Sequence, residues 1–231
     1  MALVDYIFPR RCLGCGEFGN YFCSECLKLI KPPRRPICPQ CFNPSLLGST
    51  HSACLKPLSL DGLVAVSNYE GAVKQAIKKL KYQFVTDLAG DLASLMIRFL
   101  RKYQGKLWPE FDSSWVLLPI PLYPQRQKWR GFNQAGLLGR LIAGKMGWSY
   151  KDGILIRTRP AKPQAEINNS KQRRANVRWV FKVRREVQAV IREKKVILFD
   201  DVWTTGSTIK ECAQVLKRRK VGKVWGLALA R

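Results

Sequence analysis

The stretch Val196-Ile197-Leu198-Phe199-Asp200-Asp201-Val202-Trp203-Thr204-Thr205-Gly206-Ser207-Thr208 places an apolar run, two carboxylates and a hydroxyl-rich turn side by side without a spacer. Four consecutive apolar residues suit a strand buried on both faces, as in a parallel sheet covered by helices. The run ends at Asp200, so the carboxylates are expected at a strand tip. Beyond the turn, Ile209, Cys212, Ala213 and Leu216 recur at helical spacing, and a helix is expected to begin at the turn itself. Strand, polar turn and helix in this order direct backbone NH groups and the positive end of a helix dipole into one concavity, which suits a phosphate. Asp200 and Asp201 beside it suit sugar hydroxyls, or a magnesium ion that neutralises a polyphosphate. The plainer reading is an ordinary strand-to-helix turn with Thr204 or Thr205 as the helix cap. Two adjacent carboxylates weigh against it, since they repel unless a cation or hydrogen bonds answer them.

The rest of the chain reads as strands alternating with helices. Strands are expected at Leu63 to Tyr69, Trp115 to Leu118, Ile154 to Ile156, Lys195 to Asp200 and Lys223 to Ala230. Helices are expected at Lys74 to Leu80, Leu88 to Leu100 and Phe132 to Met146. Such alternation means an α/β fold with a mostly parallel sheet, whose ligands collect beyond the carboxyl ends of the strands. Two basic loops, Leu122 to Asn133 and Arg157 to Val177, lie between these elements, and loops of such length in a compact domain are usually functional. Trp203 in the turn and Trp129 between basic residues are each read two ways, as a surface for base stacking or as packing under a loop.

Seven of the eight cysteines precede residue 55, as Cys12-x2-Cys15, Cys23-x2-Cys26, Cys38-x2-Cys41 and a last pair, His51-x2-Cys54, in which the only histidine takes the first place. Seven thiols and one imidazole make two sets of four, which suits two closed tetrahedral zinc sites better than a disulfide framework with an odd cysteine. Sequential pairing is preferred, with Cys12, Cys15, Cys23 and Cys26 on one ion and Cys38, Cys41, His51 and Cys54 on the other; spacing alone leaves interleaved pairing open. Closed sites have no open position for water, so both zinc ions would be structural. A module of this size buries little core, and metal would supply the missing stability. Arg10, Arg11, Lys28, Lys31, Arg34 and Arg35 with Tyr21, Phe22 and Phe42 form a mixture suited to gripping a nucleic acid strand. Cys212 lies on the apolar stripe of the last helix and is read as a small buried hydrophobe.

The 231 residues carry a formal charge of +25, a one-sided excess that points to polyanionic partners. No stretch approaches the length of a membrane-spanning helix, and Met1 to Phe8 is too short for a secretory signal, so a cytoplasmic protein without membrane insertion is expected.

The turn Asp200-Asp201-Val202-Trp203-Thr204-Thr205-Gly206-Ser207-Thr208 resembles the phosphoribosyl pyrophosphate (PRPP) loop of type I phosphoribosyltransferases. Lys78-Lys79-Leu80-Lys81-Tyr82, Pro119-Ile120-Pro121-Leu122, Arg130-Gly131-Phe132-Asn133-Gln134-Ala135 and Gln172-Arg173-Arg174-Ala175-Asn176-Val177 follow in the order seen in the ComF family (ComFC- and GntX-like proteins), behind a cysteine-rich amino terminus. The resemblance covers nearly the whole length. It implies a double zinc ribbon over residues 1–57 and a type I phosphoribosyltransferase-like domain over 58–231. It also implies that Asp200 and Asp201 hold the ribose while Thr204, Thr205, Gly206, Ser207 and Thr208 hold the 5′-phosphate. The loop after Pro119 would meet pyrophosphate through Arg126, Arg130 and Asn133, since guanidinium forks match phosphate oxygens. Some members of the family lose part of the zinc module, which leaves a single occupied site as the alternative.

Two classes of function follow. In the first, the chain serves DNA uptake in natural transformation, holding single-stranded DNA on its basic surface and zinc ribbons, binding PRPP or a related phosphoribosyl compound at the loop, and working with other DNA-uptake proteins. In the second it is an active phosphoribosyltransferase that joins a nitrogen nucleophile to the phosphoribosyl group with magnesium, Asp200, Asp201, Arg126 and Arg130 carrying the reaction. A PRPP- or nucleotide-sensing regulator is a third form of the same fold. No base pocket and no general base are legible in the sequence.

Overall fold

The computed structural model describes residues 9–160 and 180–231. Among the described residues the first helix, α1 (Ser24–Leu29), lies within the cysteine-rich segment. Then follow β1 (Gly62–Ser67), α2 (Gly71–Tyr82), α3 (Leu88–Tyr103), β2 (Trp115–Pro119), α4 (Pro124–Arg130), α5 (Gln134–Met146) and β3 (Ser149–Tyr150). After β4 (Leu155–Arg157) come β5 (Phe181–Val183), α6 (Gln188–Ile191), β6 (Lys195–Val202), α7 (Ser207–Lys217) and β7 (Lys223–Ala230).

Five strands form one sheet in the order β1-β7-β6-β2-β3, and every pairing in it is parallel. β6 sits at its centre because Val196, Ile197, Leu198 and Phe199 have no polar side chain to offer water; all four are fully buried. Even and odd residues of the strand point to opposite faces. Ile197 and Phe199 join a core with α2, α3 and α5, while Val196 and Leu198 join a second core with α7, β4 and β5. Helices therefore cover both faces.

Three expectations need correction. β6 does not stop at the carboxylates but runs through Asp200 and Asp201 to Val202, because β7 continues to pair with it as far as Ala230. The basic stretch Leu122 to Asn133 is not a bare loop: Pro124, whose fixed φ suits a first helical turn, starts α4, and Gly131 at φ 80° ends it. The short strand expected at Ile154 to Ile156 is β4, Leu155–Arg157, and it pairs antiparallel with β5 in a separate two-stranded sheet. Gln172 to Val177, and the part of the second basic stretch that holds Lys162, Gln164, Lys171, Arg173, Arg174 and Asn176, lie outside the described residues.

The cysteine-rich segment is packed onto the sheet domain at both ends. Leu13 and Phe22 join the first core and Ile37 joins the second. Thr50 NH donates to the Asp61 carbonyl at 2.8 Å, and the Asp61 carboxylate accepts from Val224 NH at 2.6 Å and pairs with Lys217 at 2.7 Å. The join is thereby tied to both β7 and α7.

Candidate functional site

Because the β6 pleat continues through the carboxylates, Asp200 and Asp201 leave the strand on opposite faces. Asp201 follows the Ile197–Phe199 face and is 2% exposed. A buried carboxylate needs a cation, and α2 supplies one: Lys81 Nζ lies 2.6 Å from Asp201 Oδ2. Burial works to lower the Lys81 pKa, but the charges of Asp201 and Asp200 outweigh it and hold the ammonium above its ordinary range. Asp200, half-buried on the other face, has no such partner of its own among the described residues. Removal from water, and then the neighbouring Asp201 charge, push its carboxyl up to about 8, with Lys81 opposing. Its Oδ1 accepts from the Asp201 NH at 2.9 Å.

The turn that follows is shaped by a tryptophan beneath it. Trp203 is 3% exposed, its NH donates to the Ala230 carbonyl at 2.8 Å, and its ring occupies the place where a Cβ on residue 206 would fall, 2.1 Å from Cη2. Gly206 is thus required twice, for that close approach and for its φ of 69° at the cap of α7. Of the two readings open for Trp203, the structure selects packing; it is the floor of the turn and offers no face to a base. Thr205 Oγ1 lies 2.5 Å from Ser207 Oγ and accepts from the Ser207 NH at 3.4 Å, so the hydroxyls are gathered at the start of α7. Thr204 is exposed and Thr208 half-buried on the same turn.

Arg130 closes the site from the side of β2. It ends α4, is 3% exposed, and donates from Nη1 to Gln134 Oε1 at 2.5 Å. Its Nε and Nη2 are buried without a hydrogen-bond partner among the described residues. Burial lowers its pKa, Arg126 adds to that, and Asp201 opposes, so these three charges lie close enough to act on one another. The guanidinium also lies 5.8 Å from the centroid of the Tyr82 ring. Arg126, half-buried on α4, faces the same region. Asn133 is differently placed: it caps α5 by accepting from Ala135 NH at 3.1 Å and donates to the Ile120 carbonyl at 3.0 Å, so both ends of its amide hold the backbone after β2.

Two residues of the site were given no role from the sequence. Lys81 stood within a run of lysines, and only the buried stripe Val73, Ala76, Ile77 and Leu80 orients α2 enough to turn this one toward Asp201. Arg157, the last residue of β4, has its Nε buried without a partner among the described residues and feels both Arg126 and Asp200. No pattern in a three-residue strand marks it.

The cysteines form two clusters, each with its ligand atoms within 4.8 Å of one another: Cys12, Cys15, Cys23 and Cys26, and Cys38, Cys41, His51 and Cys54. Pairing is sequential in both. The Cys15–Cys23 sulfur separation of 3.7 Å is close to the edge of a tetrahedron with metal–sulfur bonds of about 2.3 Å. In the second cluster Cys41 Sγ lies 3.4 Å from His51 Nδ1, and His51 Nε2 lies 3.0 Å from the Pro44 carbonyl. A carbonyl only accepts, so the ring proton sits on Nε2 and the Nδ1 lone pair faces the sulfurs, as a metal-binding imidazole requires. Burial alone would raise the thiols of Cys12 and Cys38. Backbone NH groups outweigh it and bring them down to about 6 and about 7, which favours thiolates. The donor set fits zinc in both places. Cys212 stands apart, fully buried, its thiol pushed well up by burial.

The second cluster abuts the turn. Phe42, directly after Cys41, lies 4.6 Å from Lys210 Nζ in the first part of α7, and Lys210 also lies 5.6 Å from the Trp203 ring. A cleft of about 230 Å³ between them is lined by Ile37, Phe42, Tyr69, Trp203 and Arg231. In the first cluster Phe22 is buried in the core and offers nothing to a nucleic acid, while Arg11 lies 3.9 Å from the Phe18 ring.

Residues 3–55 match the family described as double zinc ribbon domain. Among curated proteins, competence protein F of Haemophilus influenzae is 31% identical over 96% of this chain and 98% of its own length. The DNA utilization protein YhgH of Salmonella typhimurium is 30% identical over 89% of this chain and 88% of its own. Competence protein ComFC of Bacillus subtilis is 28% identical over 90% and 83%. Two solved structures overlap 81% of the chain: an allosteric regulatory enzyme of purine biosynthesis and the glutamine PRPP amidotransferase of B. subtilis complexed with ADP and GMP. Their identities are 17% and 16%, and both TM-scores are 0.35, too low to support an argument. The chain spans about a third of each, 32%.

Proposed function

The chain belongs to the ComF family of competence proteins, and from that premise we propose that it serves DNA uptake, holding single-stranded DNA on its basic surface and PRPP at the Asp200–Thr208 turn. The observation that carries the ligand assignment is Arg130: a guanidinium 3% exposed, with two donors lacking a partner among the described residues, close to Arg126 and to Asp201 with its Lys81 partner. Burying a cation is costly unless an anion repays it, and a pyrophosphate group has the required charge and oxygen geometry.

In this reading Thr204, Thr205, Gly206, Ser207 and Thr208 receive the 5′-phosphate at the start of α7, where backbone NH groups converge. Asp200 accepts the ribose hydroxyls from one face of β6. Asp201, paired with Lys81 on the other face, faces the pyrophosphate side with Arg130. A magnesium ion, when bound with PRPP, would neutralise phosphate charge beside these carboxylates. The +25 charge supplies the polyanion-binding surface, and the protein is expected to act in the cytoplasm; among the described residues no helix is long and apolar enough to cross a membrane.

Calorimetry with PRPP and magnesium tests the ligand assignment. Binding that is lost in Arg130→Met and in Asp201→Asn supports it, and unchanged binding in both overturns it. Affinity for an oligo-dT should fall steeply with salt, since phosphate contacts release counterions; a flat salt response would remove the polyanion reading.

Asp200 favours a second reading, transfer of the phosphoribosyl group. A carboxyl raised to about 8 sits near the pH at which a group exchanges protons with a nucleophile. In that reaction the nitrogen–carbon bond forms at the ribose, the bond to pyrophosphate breaks with its electron pair leaving on oxygen, and the nitrogen's proton passes to the Asp200 carboxylate. Arg130 and Arg126 would stabilise the leaving charge. Pyrophosphate release with a panel of amines and bases, abolished in Asp200→Asn, is the expected result; release unchanged by that substitution sinks this reading.

A further inference from the structure

Of the six tryptophans among the described residues, five are 3–7% exposed; Trp129 is 62% exposed. It lies on α4 and meets Phe84 edge-on, ring centroids 5.3 Å apart and planes at 70°, although Phe84 is itself 41% exposed. Phe84 sits in the turn between α2 and α3 at φ 56°, a left-handed conformation that costs a bulky residue energy and here secures little burial. Tyr82, which ends α2, is 49% exposed, with the Arg130 guanidinium 5.8 Å from its ring centroid. Three large aromatic rings are thus held at the surface by α4 and by the end of α2 with its following turn, beside the Arg130 guanidinium.

Their surroundings are mainly basic, and Asp87, the carboxylate in the same turn as Phe84, is paired with Arg10. α2 contributes Lys74, Lys78, Lys79 and Lys81 and no carboxylate; α4 contributes Arg126, Lys128 and Arg130 and no carboxylate. A second copy of so basic a chain would be repelled from this surface. A double helix keeps its bases stacked inside and presents only phosphates and groove edges. A single strand has both parts needed, phosphates for the basic side chains and exposed base faces for the rings.

We propose that Trp129 and Phe84, with Tyr82 beside them, form the platform on which unpaired bases of a single-stranded nucleic acid stack, with Arg126 and Lys128 holding the flanking phosphates. The platform deepens the single-strand reading above and rests on it. It places the strand beside Arg130, so the two anionic ligands approach the protein from adjoining positions.

The zinc-loaded full chain is tested with a labelled oligo-dT and an abasic oligomer of equal length and equal phosphate number. The wild type is expected to prefer oligo-dT, and Trp129→Ala to cut that preference by roughly 5- to 150-fold, the usual range for one lost stacking ring. Affinity for the abasic oligomer should stay unchanged, and Trp129→Phe should keep part of the preference. Lys128→Glu should weaken both oligomers alike. Equal affinity of the wild type for the two oligomers overturns the platform while leaving the polyanion reading intact, and so does a preference that survives both Trp129→Ala and Phe84→Ala. Failure to bind either oligomer at low salt overturns both. Zinc content and melting temperature identify a variant that has not folded, and exposed Trp129 then decides without Phe84.

Discussion

The two cysteine clusters use the same paired two-residue spacing, yet they buttress different parts of the molecule. The first, Cys12 to Cys26, reaches the main core through Leu13 and Phe22, on the face of the sheet covered by α2, α3 and α5. The second, Cys38 to Cys54, reaches the opposite core through Ile37, in the same apolar group as Trp203 and Ile209, and sets Phe42 against Lys210. One cluster therefore supports the helix that carries Lys81, and the other supports the turn expected to hold phosphate. The same paired spacing acquires two roles from what lies beneath it.

Removing zinc is the largest perturbation. Structural zinc contributes about 10–16 kcal/mol to small zinc-finger peptides, so chelation is expected to unfold the cysteine-rich segment, seen as lost protection from proteolysis. The comparison is sharpened by removing one ion at a time. Cys12→Ser and Cys38→Ser should each lower the zinc count by one, but only Cys38→Ser should lower PRPP affinity markedly; equal losses from both would erase the distinction. Lys81→Met leaves Asp201 buried without its cation and should cost about 3 kcal/mol in urea unfolding, against little for Lys78→Met, whose lysine is exposed.

Glycines give the next step down. A Cβ at Gly206 would press on Trp203, and one at Gly14 would fall 2.5 Å from Cys26 Sγ. Each alanine substitution should destabilise by about 1–3 kcal/mol, the first lowering ligand affinity with zinc retained and the second lowering zinc affinity with the turn intact. Equilibrium dialysis with PRPP and with zinc separates the two outcomes.

Asp200 supplies a pH signature that belongs to the turn alone. Its folded pKa, raised to about 8, lies above the ordinary 3.8, so at neutral pH the folded carboxyl is protonated and the unfolded one ionised. The folded state binds the extra proton, and this group's contribution to stability is lost as pH rises from about 4 to 8. PRPP with magnesium favours the carboxylate, so binding at pH 7 should release a proton and tighten toward pH 8. Calorimetry in two buffers of different ionisation enthalpy measures the release, and its absence in Asp200→Asn assigns it. The smallest expected difference is between Phe42→Ala and Phe18→Ala. Each removes a ring beside a cation, about 0.5–1 kcal/mol at an exposed site, but only the first should change ligand affinity.

Much of the fold is visible in local patterns. The apolar run Val196 to Phe199 identifies the central strand, and Ile209, Cys212, Ala213 and Leu216 the helix after it, because burial on two faces and on one stripe leave different periods. α4 is hidden in its seven residues by the absence of an apolar stripe, and β5 by its length of three. The site is visible where its residues are contiguous, as in Asp200 to Thr208, and obscure where they come from distant elements. Arg130 was legible as a basic residue after a strand, but its burial was not; that depends on Tyr82 and Gln134 closing around it.

By itself the sequence determined the parallel α/β architecture, four two-residue-spaced pairs of ligand-type side chains and the chemistry of the turn, because each is written in residues within a few positions of one another; which pairs share a cluster was left to the structure. Only the tertiary structure decided that Asp200 and Asp201 face opposite sides, that Lys81 rather than a neighbouring lysine answers Asp201, that Trp203 is floor rather than platform, and that the second zinc cluster is the one beside the turn. The reason is physical. A strand's continuation past its carboxylates depends on the neighbour that pairs with it, and a charge is buried or exposed according to what packs over it, which no local spacing records.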